Sequence, residues 1–157
     1  METKTNVMRI LDKAKADYKH YHYDCKQALT GIDVAQSLNQ NPDRVFKTLV
    51  TVAKSKQHYV FMIPVAEELD LKKAAASVGE KAVDMLPQKE LLPLTGYIHG
   101  GCSPIGMKKL FTTVIHQSAS EYSQIIFSGG KIGYQVETGL DQLRKIIPFA
   151  LDDLIIR

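Results

Sequence analysis

Cysteine is scarce in this chain of 157 residues: only Cys25 and Cys102 occur. Two thiols so far apart, with no C-x-x-C pair, exclude a disulfide scaffold and read as free thiols of a reducing compartment. Long apolar runs are also missing. The longest, YVFMIPVA at 59–66, is far too short to cross a bilayer, and METKTNVMRI at the N-terminus lacks an apolar stretch of signal-peptide length. The expectation is a soluble cytoplasmic protein without a membrane role. Charge of one sign is little in excess: 20 Lys+Arg against 17 Asp+Glu leave +3, which does not mark a DNA-binding surface. There is no internal repeat, low-complexity tract or linker, so one domain over 1–157 is expected.

What is present is an alternation of short helical and extended patterns. Val7, Ile10, Leu11 and Ala14 recur at helical spacing and predict a helix over 5–16. In DYKHYHYD, Tyr18, His20, His22 and Asp24 alternate with Lys19, Tyr21 and Tyr23, as in a strand. Thr30 to Asp33 resembles a helix N-cap, with Ile32, Ala35 and Leu38 as the apolar face. Two apolar strands around the polar AKSKQ predict a hairpin. Asp70 is expected to cap LKKAAASVG with Leu71, Ala74, Ala75 and Val78 inward, and Pro87 to open a short helix, QKELL. YIHGG, LFTTVIH, QIIFS and YQVET read as strands, and 140–147 as a closing helix before Pro148.

Three features break this regularity. Lys47 sits within the apolar run VFKTLV, where an ammonium must be desolvated, paired or given something to hold. A snorkelling lysine, its stem on the core and its head in water, is the plain alternative. GGCSPIGMKK at 100–109 and FSGGKIGY at 127–134 are glycine-bearing loops, which let backbone groups converge on a ligand or simply make turns. Neither has the spacing of a P-loop or of a dinucleotide-binding turn.

Taken in order, VFKTLV, PVAEELDLKKAA, GGCSPIGMKK and SGGKIGYQVE resemble the YbaK/EbsC family of bacterial aminoacyl-tRNA deacylases, free-standing relatives of the editing domain of prolyl-tRNA synthetase. The resemblance runs from about Thr5 to Ile147. It implies an α/β (mixed α+β) fold, a mixed β-sheet curled into a barrel-like core among helices. It also implies hydrolysis of cysteinyl-tRNA(Pro), where a second hydrolytic sieve compensates for weak discrimination between small side chains. On this chain the resemblance places Lys47 and Gly101 at the chemistry. It places Tyr23, Thr30, Thr48, Gly100, Ser103, Pro104, Ser128, Gly129, Gly130 and Gln135 around the substrate. Thr30 stands where several relatives carry phenylalanine, and Gln135 where some carry aspartate; both departures bear on amino-acid preference.

No Ser-His-Asp grouping is legible. Family precedent supplies another route, in which the substrate's cysteine thiol attacks its own ester and leaves as a thiolactone. Lys47 and backbone N–H groups around Gly101 would then stabilise the oxyanion. His20 and His22 with Asp24 could offer three ligands from one strand face, but an exposed face explains them as well; no metal and no cofactor are expected. Lys72-Lys73, Lys108-Lys109 and Lys131 are either phosphate contacts or a solvated surface. The expected partner is the acceptor end of aminoacyl-tRNA, in trans, with a transient complex with prolyl-tRNA synthetase. The competing reading is an inert binding module that keeps the fold.

Overall fold

The computed structural model describes residues 4–24 and 30–157. Helix α1 (Asn6–Lys13) starts where Thr5 accepts a hydrogen bond from the Met8 N–H, and it buries Val7, Met8 and Leu11. Strand β1 (Lys19–His22) follows. Helix α2 (Gly31–Ser37) opens on a reciprocal capping box between Thr30 and Asp33. After a 3-10 turn at Pro42–Arg44 come β2 (Phe46–Ala53) and β3 (His58–Pro64), the expected hairpin. Helix α3 (Leu71–Ser77) is capped by Asp70, which accepts from the Lys72 and Lys73 N–H groups. Then follow β4 (Val83–Met85), α4 (Gln88–Thr95), β5 (Thr112–His116), β6 (Ile125–Ser128), β7 (Tyr134–Thr138), α5 (Leu140–Leu143) and β8 (Ala150–Asp152).

The strands form two sheets, in the orders β4-β2-β3-β5-β8 and β1-β7-β6. The first is mixed, since β3-β5 and β5-β8 pair parallel; the second is antiparallel. The expected mixed α/β fold is present, but among the described residues the sheets do not close into a barrel. They are joined by one parallel bridge, Val45 to Ile126. Past it β2 and β6 stay close without further strand pairing, and from Thr51 onward β2 gives its other edge to β4.

Alternation along the strands sorts the side chains between three apolar clusters. Phe46, Val50, Val60, Met62, Phe127 and Val136 face the main core with α1. On the opposite face, α3 packs Ala74 and Ala75 over Phe61, Ile63 and Val114, and α2 packs Ala35 over Val45, Val65 and Ile126.

Several expectations are corrected. YIHGG is a turn and not a strand: Gly96 leaves α4 in a left-handed conformation, and the Tyr97 hydroxyl, turned inward, donates to the Ile105 carbonyl. Ile32 and Leu71 are exposed, and Val34 takes the inward place in α2. The closing helix is shorter than 140–147, ending where Arg144 turns to donate to the Phe149 carbonyl and lies over that ring at 4.0 Å.

Candidate functional site

Strand register fixes which side chains meet. In the hairpin, Val65 N–H donates to the Val45 carbonyl (2.8 Å) and Ala53 N–H to the Gln57 carbonyl (2.8 Å). Odd-numbered residues of β2 therefore hand their backbone groups to β3, and even-numbered ones turn theirs to the other edge. There Leu86 N–H meets the Val50 carbonyl at 3.0 Å, and no described strand pairs with β2 between that point and the bridge at Val45. The backbone of Thr48 lies in this interval, on the edge of β2 toward β6.

Side chains follow the same alternation. Lys47 is paired with Ile63, so it lies on the face of Val45 and Ile63. Across that edge, Ser128 shares the face of Ile126, two residues past the bridge, as Lys47 is two past Val45. Ser128 pairs with Gln135, Ile126 with Glu137, and Gln135 with Tyr21. Lys47, Ser128, Gln135, Glu137 and Tyr21 thus share one face across the seam between the sheets, partly roofed by α2.

The Lys47 ammonium is half-buried, and among the described residues no hydrogen bond or ion pair engages it. Desolvation holds its pKa below the ordinary lysine value, while the carboxylates of Glu68 and Glu67 pull the other way. An unpaired cation in that setting is costly unless something binds there. Thr48 points its side chain into the opposite face beside Met62, where its hydroxyl is buried without a partner. Its main chain, not its hydroxyl, faces the edge toward β6.

The glycine loops meet beside this face. A Cβ on Gly101 would come within 3.1 Å of the Ile132 nitrogen and 3.4 Å of Lys131, so only glycine lets the two loops approach this closely. Gly100 has a φ of +88° and lies over Ile132. The N–H groups here are largely spent: Gly101 donates to Ile98 (3.0 Å), Gly129 to Tyr134 (2.9 Å) and Gly130 to the Ser128 hydroxyl (3.1 Å). Tyr23 N–H reaches Gly133 at 2.9 Å, which ties the end of β1 to the same turn. Ser103 and Pro104 are buried behind the loop, with the Ser103 hydroxyl accepting from Ile105 N–H. Cys102 is buried as well, and desolvation pushes its thiol up to about 12. Thr30 stands at the start of α2, whose Gly31 abuts Val65. Cys25 lies outside the described residues.

Sequence reasoning missed a polar network on this face. Tyr21 donates to Glu137 at 2.9 Å, Arg44 lies 3.5 Å from the same carboxylate oxygen, and Gln40 donates to Gln135 at 2.8 Å. The alternation Gln135-Val136-Glu137 in YQVET was the available signal: two polar side chains on one side of an otherwise apolar strand. Among the basic residues weighed as phosphate contacts, Lys73 is engaged by Asp153 and Lys108 by the Pro93 carbonyl, whereas Lys72, Lys109 and Lys131 are exposed. No cluster of metal-ligand type occurs among the described residues, and none of their helices is long and apolar enough to cross a membrane. A separate hollow of about 280 Å³ beside α4, lined by His58, Leu86, Glu90, Pro93 and Leu94, shares no residue with the site.

Residues 25–146 match a family model described as an aminoacyl-tRNA editing domain. A curated protein of Enterococcus faecalis, "Putative Cys-tRNA(Pro)/Cys-tRNA(Cys) deacylase EbsC", is 48% identical over 137 residues, 87% of this chain and 84% of that protein. Among solved structures, a "putative trans-editing enzyme for prolyl tRNA synthetase" superposes with a TM-score of 0.83 at 21% identity, over 99% of this chain and all of the other. A hypothetical protein superposes with a TM-score of 0.86 at 19% identity, over 96% of this chain and 99% of its own. At such identities the structural matches speak for the fold alone.

Proposed function

Because the chain belongs to the aminoacyl-tRNA editing domain family, we propose that it is a trans-editing deacylase that clears cysteine from mischarged tRNA, cysteinyl-tRNA(Pro) first. Cysteinyl-tRNA(Cys), the other substrate class in the name of the Enterococcus faecalis relative, is a second candidate. The observation that carries the reading is the half-buried Lys47 ammonium, without a partner among the described residues and level with Ser128 at the seam of the two sheets. The acceptor end lies along this face, with Lys47 drawn to the ester and its phosphate.

The reaction needs a nucleophile, and the cysteine of the chain nearest the loops does not supply one. The Cys102 thiol, raised to about 12, stays protonated at neutral pH. The substrate thiol supplies it instead. It gives up its proton, its sulfur attacks the ester carbonyl, the carbon–oxygen bond to the ribose breaks, and the ribose oxygen takes up a proton. The β-thiolactone released then opens with water to free cysteine. The protein folds the aminoacyl end into attack geometry and steadies the oxyanion. Lys47 and the Thr48 main-chain N–H, on the stretch of β2 edge without a strand partner, suit that task better than Gly101, whose N–H is already bonded to Ile98. Gly101 contributes room for the loops to close.

The spent N–H of Gly101 and the Gln40–Gln135 pair, at a position where some members of the family carry an aspartate, also favour the second reading, a module that binds the acceptor end without turnover. Deacylation of purified, mischarged tRNAs separates the two. Loss of ester only with catalytic enzyme present supports the deacylase; binding with an unchanged ester half-life supports the module. A transient complex with prolyl-tRNA synthetase in the cytoplasm would deliver the substrate, since few free basic side chains surround the site. It predicts that added synthetase raises kcat/KM.

A further inference from the structure

The connection from α2 to β2 sends two side chains back over β7. Asn39, just past α2, takes a left-handed conformation with φ +55°, which asparagine tolerates, and the Gln40 N–H then donates to the Ala35 carbonyl at 2.8 Å. The chain leaves the helix turned towards the second sheet. Gln40 donates through Nε2 to the Gln135 Oε1 at 2.8 Å, and Arg44, at the end of the 3-10 turn, lies 3.5 Å from the Glu137 Oε1. Gln135 and Glu137 are only 5% and 4% exposed, so these contacts are made in a nearly dry layer.

Two acceptors in this layer are left over. The Gln40 Oε1 is buried and has no hydrogen-bond partner among the described residues. Glu137 takes both Tyr21 and Arg44 on Oε1, and among the described residues nothing engages its Oε2. A buried acceptor without a donor is destabilising until a ligand supplies one. Position and charge say which donor fits. Gln135 pairs with Ser128, which is level with Lys47, so the face runs from a cation through a hydroxyl to the unmet acceptors. Gln135 is two strands from β2, roughly 10 Å at the usual strand spacing. An aminoacyl ester has the same polarity: its carbonyl oxygen gains negative charge during attack, and the α-ammonium, one carbon away, carries N–H donors. With the ester at Lys47, the ammonium falls towards Gln135. A ribose hydroxyl or a thiol also donates, but neither carries a charge to set against the Glu137 carboxylate.

We propose that Gln40 is a substrate-binding residue whose Oε1 takes an N–H of the aminoacyl α-ammonium, with Glu137 beside it supplying the opposite charge. Gln135 positions Gln40 by accepting from its Nε2. The site thereby reads a free amino group and disfavours an acyl end that lacks one, because the acceptors are then left unmet. The inference rests on the proposed function for the aminoacyl end as ligand, not for its turnover.

Binding is therefore the test, with RNA hairpins that end in the tRNA acceptor sequence and carry alanine or propionate through a stable 3′-amide. The pair differs only by the ammonium, and nothing is hydrolysed. The wild type is expected to bind the alanyl hairpin about tenfold or more tighter. Gln40→Met, similar in length but without an acceptor, should lose most of that preference while binding the propionyl hairpin as before. Gln40→Glu, whose carboxylate still accepts, should keep it. Equal affinities in the wild type, or a preference undiminished in Gln40→Met, overturns the inference. A fall for both hairpins alike in Gln40→Met assigns Gln40 to the fold and overturns it too. Failure of the wild type to bind either hairpin overturns this inference and the proposed function together. The expected preference with no turnover of cysteinyl-tRNA by any form upholds the inference and overturns the deacylase reading alone.

Discussion

At the scale of single residues, Lys47 and Cys102 make opposite cases. Lys47 is a charge where the strand has little use for one, and that mismatch was visible in VFKTLV because an ammonium among β-branched and aromatic residues calls for a reason. That it has no partner among the described residues was not visible, since that depends on which side chains the two sheets bring to its face. Lys47→Ala should lower kcat/KM on cysteinyl-tRNA by about 10²-fold or more, as loss of a principal oxyanion-stabilising group does. Thermal unfolding should leave the melting temperature unchanged or raised, because an unpaired, half-buried cation is removed. Cys102 is the tempting nucleophile beside Gly101, but with its thiol at about 12 only about one part in 10⁵ is ionised at pH 7. The Cys25→Ser/Cys102→Ser variant should therefore keep its deacylation rate within severalfold; a collapse of single-turnover rate in a folded variant would assign the nucleophile to the protein.

At the scale of elements, what the sequence made legible was local. The Thr30–Asp33 box, the Asp70 cap and the hairpin around AKSKQ were readable because each is decided within a few residues. Strands β4 and β8 were not: each has three residues, carries an aspartate, and exists only because a longer strand lies alongside. Thr30 shows how the two kinds of information meet. The resemblance set it at the substrate, where a smaller residue than phenylalanine suggests a wider range of aminoacyl groups, and the structure adds that its hydroxyl caps α2 at 3.1 Å. Thr30→Ala and Thr30→Phe should each lower stability by about 1 kcal/mol in denaturant titrations, with Thr30→Ser close to neutral. Thr30→Phe should in addition narrow the range of aminoacyl-tRNAs cleaved. A selectivity profile identical to the wild type would remove Thr30 from the pocket.

At the scale of the whole molecule, the site is a property of how two sheets meet. The glycine loops and Lys47 were each visible in the sequence, but the shared face of Lys47, Ser128, Gln135 and Tyr21 follows from one bridge, Val45 to Ile126, between residues far apart in the chain. The partly buried Arg44–Glu137–Tyr21 network went unread for the same reason. Closure of the fold also depends on the C-terminal segment, a strap over the turn before α3 where Asp70 N–H donates to the Leu154 carbonyl at 2.8 Å, and this strap has its own pH signature. His116 is buried, and its Nδ1 accepts from Leu154 N–H at 3.1 Å. Burial holds its pKa below the ordinary 6.5, with Asp153 opposing. Above 6.5 both folded and unfolded chains are neutral at this residue; as pH falls below it, the unfolded chain takes up a proton that the native one resists, so stability is lost. The melting temperature should fall between pH 7.5 and 5.5, and His116→Gln, which cannot titrate but can still accept the hydrogen bond, should flatten that slope. An equal slope in the variant would show that the strap is insensitive to His116.

The central claim is that this chain removes cysteine from tRNA by holding the ester while the substrate's own thiol attacks, and single-turnover deacylation of cysteinyl-tRNA(Pro) beside seryl-tRNA(Pro) tests it most directly. The two substrates differ by one atom, sulfur for oxygen, and so chiefly in the strength of the internal nucleophile. The account predicts rapid loss of cysteine with transient thiolactone, slow loss of serine, and loss of the cysteine reaction in Lys47→Ala. Equal rates on the two esters would contradict the mechanism, and no acceleration of either over the enzyme-free control would contradict the activity.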